Sequence, residues 1–470
     1  MHSTTTALHV IHEQISRGLN QKRPCSRTVL AALDLKKAFD TVCISTLLQD
    51  IEASDIPYNT KKWLRSYYRG RYTYTEFRGS KSRRRPMKQG VPQGSVISPT
   101  LFNLYMSKMP RPPDDVTLVT YADDCTILAT GPDVESLCVK INTYLNTLYD
   151  WFTTRNLQLS FEKSTVTVFT SWTKEVSTPV SVNINGHLLP NVSNPKLLGI
   201  TFDQMLTFNA HANAIRTKMK TRNNALKAIA GSDWGKDKET IITTYKAIGR
   251  PILNYAAPIW SPQISQTHWT NLQATQNAAL RIATGCHLMA AEDHLHMEAK
   301  LIPIKPHGEM ISKQYLASCH KDDHPCHNAG YKPSIVQLIQ QNNNNMTSVD
   351  QDTYKTMIKD IHTQAVQQTI ENFKPNKVLQ KQPPPISENE LQLPRKIRTT
   401  LAQLRSGYCK LLNNYLNRLD SEIDDVCPKC NEHPHDTMHL FKCTQHPTQL
   451  GVEDLWTNPQ AVATFLDLED

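Results

Sequence analysis

The stretch 120-TYADDCTILA-129 places two adjacent carboxylates, Asp123 and Asp124, between runs that have the composition of buried strands. Apolar and β-branched residues on both sides of the small and acidic ones predict a strand, a tight turn and a second strand over residues 117–129. At the tip of such a hairpin both carboxylates are presented near the same point. Ionised neighbours repel each other, and burying either one unpaired is costly, so the pattern indicates a bound divalent cation.

A third carboxylate stands at the end of an earlier strand. The run 28-TVLAALDL-35 predicts a strand, and Asp34 lies at its carboxyl end, where side chains leave a core and enter a site. If both strands end at one sheet edge, Asp34 and Asp123 meet, and three carboxylates can hold two metal ions about 3.5 to 4 Å apart. Magnesium fits because it prefers oxygen ligands and keeps positions for water and substrate phosphates. A pair of aspartates alone is weaker evidence, since 114-DD-115 is typical of an ordinary turn.

The segment 89-QGVPQGSVISPTLFNLYM-106 lies between the two acidic strands. Two glycines and a proline within six residues predict a rigid turn that a ligand can approach closely, and the run from Val96 to Met106 predicts a helix packed below it. A purely structural turn also explains this pattern. Its position between the acidic strands favours a functional one.

The order of the predicted elements indicates an α+β fold. Apolar residues at helical spacing predict an amphipathic helix over residues 3–20, and a helix with Asp133 as its N-cap follows the hairpin. Further strand-like runs occur at 157–169 and 180–189. The order predicts an antiparallel sheet that carries helices on one face.

Residues 61–85, KKWLRSYYRGRYTYTEFRGSKSRRR, interleave arginine and lysine with tyrosine, tryptophan and phenylalanine. One interpretation of this composition is a solvated surface with some packed aromatic rings.

The ordered motifs LDLKKAFD, QGVPQGSVISPTLFNLYM, YADD, FEKSTVTVF and KLLGITFD together resemble those of reverse transcriptases, specifically those of non-LTR retrotransposons of the jockey-like branch. Residues 244–260 and the terminal cysteines extend the resemblance over most of the chain. It implies a right-hand polymerase palm with partial fingers, a thumb, a connector and a zinc module. The implied segments are partial fingers and palm over 1–175, primer grip and helical thumb over 176–300, a helical connector with flexible segments over 301–400, and a zinc-knuckle-like module over 401–470.

The resemblance also implies catalytic roles. Asp34 and Asp123 would hold two Mg²⁺ ions, or Mn²⁺ in their place, that activate the primer 3′-hydroxyl and the incoming triphosphate, and Asp124 would assist. Positioning and charge neutralisation are what phosphoryl transfer needs, so the physical interpretation agrees.

Further positions match residues that contact the substrates in the family. Phe39 matches the aromatic residue under the sugar that excludes a 2′-hydroxyl, although a core aromatic residue explains it equally well. Gln93 and Gly94 match the turn that contacts the incoming nucleotide and the template. Lys163 matches a lysine that helps pyrophosphate leave, although a lysine on a strand edge is more often only solvated. Residues 198-LG-199 match the segment that grips the primer end.

The C-terminal cysteines have the form C-x2-C-x8-H-x3-C, which suits a tetrahedral structural zinc ion. The predicted ligands are Cys427, Cys430, His439 and Cys443. Three nearby histidines leave the fourth ligand open: His433, His435 and His446. Zinc would stabilise a module too short to bury its own core, and the resemblance implies that this module binds nucleic acid.

Composition limits the class of protein. Lysine and arginine number 52 against 43 acidic residues, a formal net charge of +9, which favours an anionic partner. The sequence lacks both the about 18 apolar residues in a row that a membrane span needs and the layout of a signal peptide, which predicts a soluble, intracellular protein. Eleven cysteines, an odd number spread over a long chain, argue against a disulfide framework.

Together with the resemblance, this predicts a ribonucleoprotein in the nucleus, the cytoplasm or both, not secreted and without a membrane partner. Its expected partners are an RNA template, a DNA primer and deoxynucleoside triphosphates; the sequence does not indicate an oligomeric state.

Two hypotheses follow for function. In the family, an endonuclease and the front of the fingers precede the segment that resembles the first residues here, so the sequence is expected to be N-terminally truncated. One hypothesis is an RNA-directed DNA polymerase, supported by Asp34, Asp123 and Asp124. The alternative is a catalytically inactive nucleic-acid-binding relic, supported by the missing fingers. The intact spacing of five motifs favours the polymerase.

Overall fold

A computed structural model of the chain describes residues 3–21, 25–176, 178–231, 234–319, 321, 324–326 and 351–468. The described residues fall into two compact units. Unit 1 consists of those from 3 to 210 together with 324–326, and unit 2 of those from 211 to 321 together with 351–468. Part of the predicted connector, including residues 340–346, lies outside the described residues.

Unit 1 mixes helices and strands. Its helices are α1 (Thr4–Leu19), α2 (Ala38–Thr41), α3 (Ile44–Glu52), α4 (Tyr58–Tyr68), α5 (Ser98–Met106) and α6 (Val134–Thr154). Its longer strands are β1 (Arg27–Leu33), β6 (Val116–Tyr121), β7 (Asp124–Gly131) and β8 (Thr165–Phe169). Its two-residue strands are β2 (Tyr72–Thr73), β3 (Glu76–Phe77), β4 (Ser80–Lys81), β5 (Arg85–Pro86), β9 (Asn183–Ile184), β10 (His187–Leu188), β11 (Lys196–Leu197) and β12 (Ile200–Thr201).

The central sheet has the strand order β6-β7-β1-β8, and every pairing is antiparallel. The predicted hairpin is present: β6 and β7 pair up to Tyr121 and Asp124 around a two-residue turn. Strand β1 lies between β7 and β8, with Leu33 opposite Cys125. This register fixes where the acidic residues emerge from the sheet.

Helices cover both faces of this sheet, which corrects the prediction that they lie on one face. Helix α6 packs against the face that includes Val29 and Ile127. Helix α1 packs against the other face, where a Cβ atom on Gly18 would lie 2.7 Å from Thr130 Cγ2 and 3.1 Å from Thr28 Oγ1. Alternate residues of a strand point to opposite faces, and β1 is buried on both, as a continuous apolar run indicates.

Unit 2 is helical. Its helices are α7 (Asn209–Lys227, whose first two residues fall in unit 1), α8 (Lys238–Ile248), α9 (Arg250–Asn254), α10 (Ala257–Trp260), α11 (Gln266–Thr284), α12 (Glu292–Ala299), α13 (Ile304–Ser318), α14 (Gln351–Glu371), α15 (Arg395–Ser406), α16 (Asn413–Leu419), α17 (Thr437–Leu440), α18 (Asp454–Thr457) and α19 (Pro459–Phe465). A short 3₁₀ helix, Glu388–Gln392, precedes α15.

A buried charge network joins several elements of unit 2. The Arg405 guanidinium, fully buried, donates to Glu298 at 3.2 Å, to Glu390, and to the Leu455 carbonyl at 2.8 Å. Lys238 Nζ lies 3.0 Å from Glu390 Oε1. Each buried charge therefore has a partner of opposite sign, which offsets the cost of removing it from water. Glu390 ends the stretch 380-QKQPPPISENE-390, so the end of this stretch is packed into the unit.

The C-terminal residues share a hydrophobic core with the helix that precedes them. Leu401 and Leu404 of α15 pack in one cluster with Phe441, Trp456 and Val462. The core around the cysteine segment therefore draws on residues before residue 427.

Two sequence-based expectations concern the membrane and disulfides. Among the described residues, none of the helices combines the length and apolar content that a membrane crossing requires. Among the described residues, none of the cysteines forms a disulfide bond.

Candidate active site and metal centre

The sheet brings Asp34, Asp123 and Asp124 to one edge. Strand β1 ends at Leu33 opposite Cys125, so Asp34 leaves the strand beside Asp124, the first residue of β7. Asp123 occupies the second position of the hairpin turn. Asp34 and Asp123 are half-buried, and Asp124 is exposed. The three carboxylates therefore face solvent from a rigid scaffold of paired strands.

The hairpin turn holds a residue in an uncommon conformation. Ala122, the first turn residue, has φ +53°, in the left-handed region that two-residue hairpin turns need at this position. A side chain other than glycine in this region costs about 1 to 2 kcal/mol. The paired strands on both sides hold Ala122 in this conformation and so fix the direction of Asp123.

The surroundings of Asp124 raise the pKa of its carboxyl. Although the residue as a whole is exposed, its carboxyl is partly screened from water, and this desolvation raises its pKa above the usual value. The negative charges of Asp123 and Asp34 raise the pKa further. A bound cation would stabilise the ionised form of this carboxyl, because it neutralises the negative charge of the three aspartates.

Two serines that sequence reasoning missed hold the backbone of Asp34. The Asp34 N–H donates to Ser164 Oγ at 3.1 Å, and the Ser160 N–H donates to the Asp34 carbonyl at 2.8 Å. Ser164 Oγ also donates to the Ser160 carbonyl at 2.9 Å. Both serines are buried. The serine within the motif FEKSTVTVF was the only signal in the sequence. That signal does not identify its partner, which lies about 130 residues away in the chain.

The glycine-rich segment is fastened to the residues that follow Asp34. The N–H groups of Gly90 and Val91 donate to the carbonyls of Val42 and Phe39, each at 2.8 Å. Gly90 has φ +89°, and a Cβ atom there would lie 2.9 Å from the Asp40 carbonyl oxygen. Glycine is therefore required at this close approach. Helix α5 follows as predicted, beginning at Ser98 rather than at Val96.

Gln93, Gly94 and Phe39 lie on or beside this segment. The Gln93 side-chain amide donates to Asp40 Oδ1 at 3.0 Å, and Gly94 has φ +82° and open space around it. The Phe39 ring stacks on that of Phe102, with 4.3 Å between centroids, and is half-buried. One face of Phe39 thus packs on the core, and Asp40 is a further residue that sequence reasoning missed.

Lys163 lies in a turn before β8 and is exposed, not on a strand edge as expected. Its backbone N–H donates to the Ser160 carbonyl at 3.1 Å, which keeps the turn next to the residues that hold Asp34. Leu198 and Gly199 form the two-residue turn between β11 and β12, with φ +44° and +86°. Both values are positive, as a type I′ turn requires.

The four predicted zinc ligands are brought together. The ligand atoms of Cys427, Cys430, His439 and Cys443 all lie within 4.8 Å of one another. Cys430 Sγ is 3.2 Å from His439 Nε2, and Cys427 Sγ is 3.8 Å from Cys443 Sγ. Within the described parts of the chain, this is the only group of three or more such side chains that gathers so closely, so the three aspartates are held less tightly together.

Local structure aims these ligands at one point. The Cys427 N–H donates to the Glu432 carbonyl at 2.8 Å, which closes the Cys-x2-Cys loop. Asp436 caps α17 through the His439 N–H at 2.9 Å. Burial works against ionisation of Cys427, but hydrogen bonds from the backbone N–H groups of residues 430 and 429 and from the side chains of Cys430 and His439 together outweigh it and lower the pKa of this thiol to about 7. Two thiols in a short loop with a histidine and a third thiol are the donor set of a tetrahedral metal site.

The structure selects among the nearby histidines. His435 Nδ1 accepts a hydrogen bond from the Asn413 N–H at 3.1 Å, and the His446 ring stacks on Phe465 at 4.4 Å. Neither residue belongs to the cluster, and His433 does not belong to it either. His439 therefore completes the set of four.

Residues 3–202 match the family model described as reverse transcriptase (RNA-dependent DNA polymerase). This part of the chain is therefore similar to reverse transcriptases.

Its curated relatives are proteins of transposons and mobile elements. The probable RNA-directed DNA polymerase from transposon X-element of Drosophila melanogaster is 29% identical over 320 residues, which cover 67% of this chain and 34% of the relative. The RNA-directed DNA polymerase from mobile element jockey of the same species is 26% identical over 319 residues, covering 65% and 34%. This chain thus spans about a third of the length of the curated relatives it matches.

A solved structure of telomerase from Candida tropicalis, in complex with a fragment of telomeric RNA, aligns with 76% of this chain and 52% of its own. The identity is 12% and the TM-score 0.32, a similarity too low to add to the assignment.

Proposed function

We propose that this chain is an RNA-directed DNA polymerase of a non-LTR retrotransposon of the jockey-like branch, which extends a DNA primer on an RNA template. The observation that carries the proposal is the common edge of Asp34, Asp123 and Asp124, set by the pairing of Leu33 with Cys125. The match of residues 3–202 to the reverse transcriptase family model supports it. The intact acidic set favours a polymerase over a nucleic-acid-binding relic.

The acidic edge fits divalent cations. Asp34 and Asp123 would hold two Mg²⁺ ions, or Mn²⁺, and Asp124 would assist. The raised pKa of Asp124 reflects the desolvation and crowding of negative charge that bound cations relieve. The chemistry that such ions supply is activation of the primer 3′-hydroxyl and neutralisation of charge on the triphosphate. The chain itself contributes positioning, because paired strands and two buried serines fix the backbone beside these carboxylates.

The glycine-rich segment and Phe39 would form the nucleotide site. Gln93 and Gly94 would contact the incoming nucleotide and the template, and the free face of Phe39 would lie under the sugar and exclude a 2′-hydroxyl. The stack of Phe39 on Phe102 supports this role because it holds the ring in one orientation. Lys163, exposed in the turn before Ser164, would assist the departure of pyrophosphate by its positive charge.

The remaining parts would serve nucleic-acid binding. In this proposal residues 1–175 are partial fingers and palm, and 176–300 hold the primer grip at 198–199 and a helical thumb. Residues 301–400 are a connector, and 401–470 a module around a structural zinc ion held by four residues: Cys427, Cys430, His439 and Cys443. The protein would act inside the cell, in nucleus or cytoplasm, as a ribonucleoprotein.

Primer extension tests the proposal. Purified chain is given a DNA primer annealed to RNA, with magnesium and deoxynucleotides, beside Asp123→Asn and Asp114→Asn. Asp114 is the matched control because, like Asp123, it is a turn residue followed by a second aspartate. Asp114 is exposed. We expect extension by the parent and by Asp114→Asn, and a loss of at least a hundredfold in Asp123→Asn. Extension that survives in Asp123→Asn, or is absent from the parent while RNA remains bound, would contradict the proposal.

A further inference from the structure

Residues 58–88, which we call the basic arm, hold a disproportionate share of the positive charge. The arm contains eleven of the 52 lysines and arginines and one of the 43 acidic residues. The rest of the chain holds 41 basic and 42 acidic residues, so it is almost neutral. The basic character of the chain therefore resides in this arm.

The arm consists of helix α4 and an exposed hairpin. Leu64 and Tyr68 of α4 are buried in the core of unit 1. Residues 72–86 follow as a hairpin in which β2 pairs with β5 and β3 with β4, and every residue in it is exposed. The tip residues Arg78 and Gly79 both have positive φ, as a tight two-residue turn requires. The hairpin is therefore anchored at its base and accessible along its length.

Aromatic rings are exposed on the same arm. The described residues contain eight well-exposed aromatic side chains, and five of them belong to the arm: Tyr58, Trp63, Tyr72, Tyr74 and Phe77. Cations lie over aromatic rings, with Lys81 Nζ 5.4 Å from the Tyr74 centroid and the Arg71 guanidinium 4.3 Å from that of Tyr67. The tyrosines and the phenylalanine on this two-stranded hairpin are exposed and bury little surface. Packing against the rest of the protein therefore does not explain why aromatic residues are present there.

Ion pairs neutralise few of these charges. Across residues 58–88, all of them described, two ion pairs are present: Arg65 with Glu52 at 2.6 Å and Lys81 with Glu76 at 3.6 Å. Like charges at this density repel one another, and an anionic partner relieves that repulsion. The run Arg83-Arg84-Arg85 beside β5 is the densest part of the arm.

We propose that the basic arm binds single-stranded nucleic acid, with phosphates on its arginines and lysines and unpaired bases stacked on Tyr72, Tyr74 and Phe77. Alternating cations and aromatic rings are the combination that single strands bind, because every base offers a face for stacking. An anionic membrane also attracts basic and aromatic residues, but it favours aliphatic ones too. In the arm Leu64 is buried and Met87 half-buried, which favours nucleic acid.

This proposal rests on the proposed polymerase function in one respect, the identity of the bound strand. If the chain is a polymerase, the strand would be the part of the RNA template that lies outside the catalytic edge. Its test therefore measures binding of a labelled, unstructured single-stranded RNA to the full chain without magnesium or nucleotides. Fluorescence anisotropy at several salt concentrations gives both the affinity and its salt dependence. A failure here leaves the primer-extension test of Asp123 untouched.

The charge variant is Arg83→Ala/Arg84→Ala/Arg85→Ala. The logarithm of the binding constant falls as the logarithm of the salt concentration rises, and each phosphate contact to a single strand adds about 0.7 to the steepness of this fall. Loss of three contacts should therefore make the slope less steep by about 2. The matched control replaces the same three arginines with lysine, which keeps the charge and should keep the slope. An unchanged slope in the alanine variant would overturn the electrostatic part of the proposal.

The stacking variant is Tyr72→Ala/Tyr74→Ala. Each lost stack should weaken single-strand binding roughly 5- to 150-fold, with the salt slope unchanged. Tyr72→Phe/Tyr74→Phe keeps the rings and should bind like the parent, and binding of duplex RNA should not respond to either change. Because all these positions are exposed, circular dichroism should show the parent fold in each variant. Equal binding by the alanine variant, or binding to anionic vesicles in preference to RNA, would overturn the proposal.

Discussion

The backbone N–H of Asp34 donates to the hydroxyl of Ser164 at 3.1 Å, and that hydroxyl donates onward to the Ser160 carbonyl at 2.9 Å. Asp34 lies at the end of β1 and Ser164 just before β8, so the bond ties the acidic edge to the next strand of the sheet. The position of the Asp34 carboxylate therefore depends on a buried hydroxyl that does not itself face the site.

Replacing Ser164 with alanine should reduce both stability and activity. The change removes the acceptor of the Asp34 N–H from a fully buried position, which costs about 1 to 3 kcal/mol. Chemical denaturation measures this cost, and primer extension should show a lower kcat with little change in KM for nucleotide. Ser107→Ala is the control because that hydroxyl is exposed on its own helix end, and it should change stability by less than about 0.5 kcal/mol. Equal effects of the two substitutions would contradict the positioning role of Ser164.

Ala122→Gly should not destabilise the protein and should stabilise it by up to about 1 kcal/mol. Glycine relieves the strain at φ +53°, and the greater freedom of glycine in the unfolded chain offsets part of this gain. Ala129→Gly, in the buried middle of β7, should destabilise by about 0.5 to 1 kcal/mol or more. A loss of stability in Ala122→Gly as large as in Ala129→Gly would show that the turn is unstrained.

Unit 2 should lose stability in mild acid through His296. Its Nδ1 lies 2.7 Å from the Leu301 carbonyl, so Nδ1 carries the proton, and its Nε2 lies 2.9 Å from the Gln273 amide nitrogen, from which it accepts. Burial lowers the pKa of His296 to about 4. Between the unfolded pKa of about 6.5 and this value the unfolded state binds the extra proton, so stability falls as the pH falls through this window.

The His296 contribution is a slope of about 1.4 kcal/mol per pH unit. Denaturation of His296→Gln between pH 7 and 4 should show a smaller dependence on pH than the parent, whereas His187→Gln, at an exposed position, should follow the parent. Burial likewise lowers the pKa of His211 to about 4 and that of His307 to about 3, so part of the dependence persists. A parent stability that does not change over this range would contradict the neutral state of these histidines.

Metal removal should unfold the C-terminal core selectively. The ligand cluster lies beside Phe441, which packs with Trp456 in the core of residues 397–468. We expect about one zinc ion per chain in the parent and its loss in Cys443→Ser, with faster proteolysis after residue 400. Cys25→Ser, outside the cluster, should retain the metal. Equal zinc content in both variants would show that the four residues do not form a metal site.

Local patterns in the sequence were sufficient for several elements. The hairpin at 117–129 and the helix capped by Asp133 are present, and the Asp133 carboxylate accepts from the Ser136 N–H at 2.9 Å. Each rests on residues close together in the chain, where alternation and capping act. The spacing of the cysteines also indicated a metal site, but it left the fourth ligand open among several histidines, and the structure groups His439 with the three cysteines.

Long-range contacts were not predictable from such patterns. The bonds of Ser164 to Asp34 and of Gln93 to Asp40 join segments far apart in sequence. Helix α1 on the second face of the sheet was missed, although the unbroken apolar run of β1 indicates burial on both faces. The shared core of α15 and the C-terminal residues was missed because a cysteine pattern defines a metal site and not its domain.

We expect Asp34 and Asp123 to contribute to one metal site although 88 residues separate them in the chain. Electron paramagnetic resonance of Mn²⁺, titrated into the chain in place of magnesium, measures this binding without any need for catalysis. We expect Asp34→Asn and Asp123→Asn each to weaken the same high-affinity Mn²⁺ binding at least tenfold, and Asp114→Asn to leave it unchanged. Mn²⁺ binding that Asp123→Asn abolishes and Asp34→Asn does not alter would show that the two residues do not share a site.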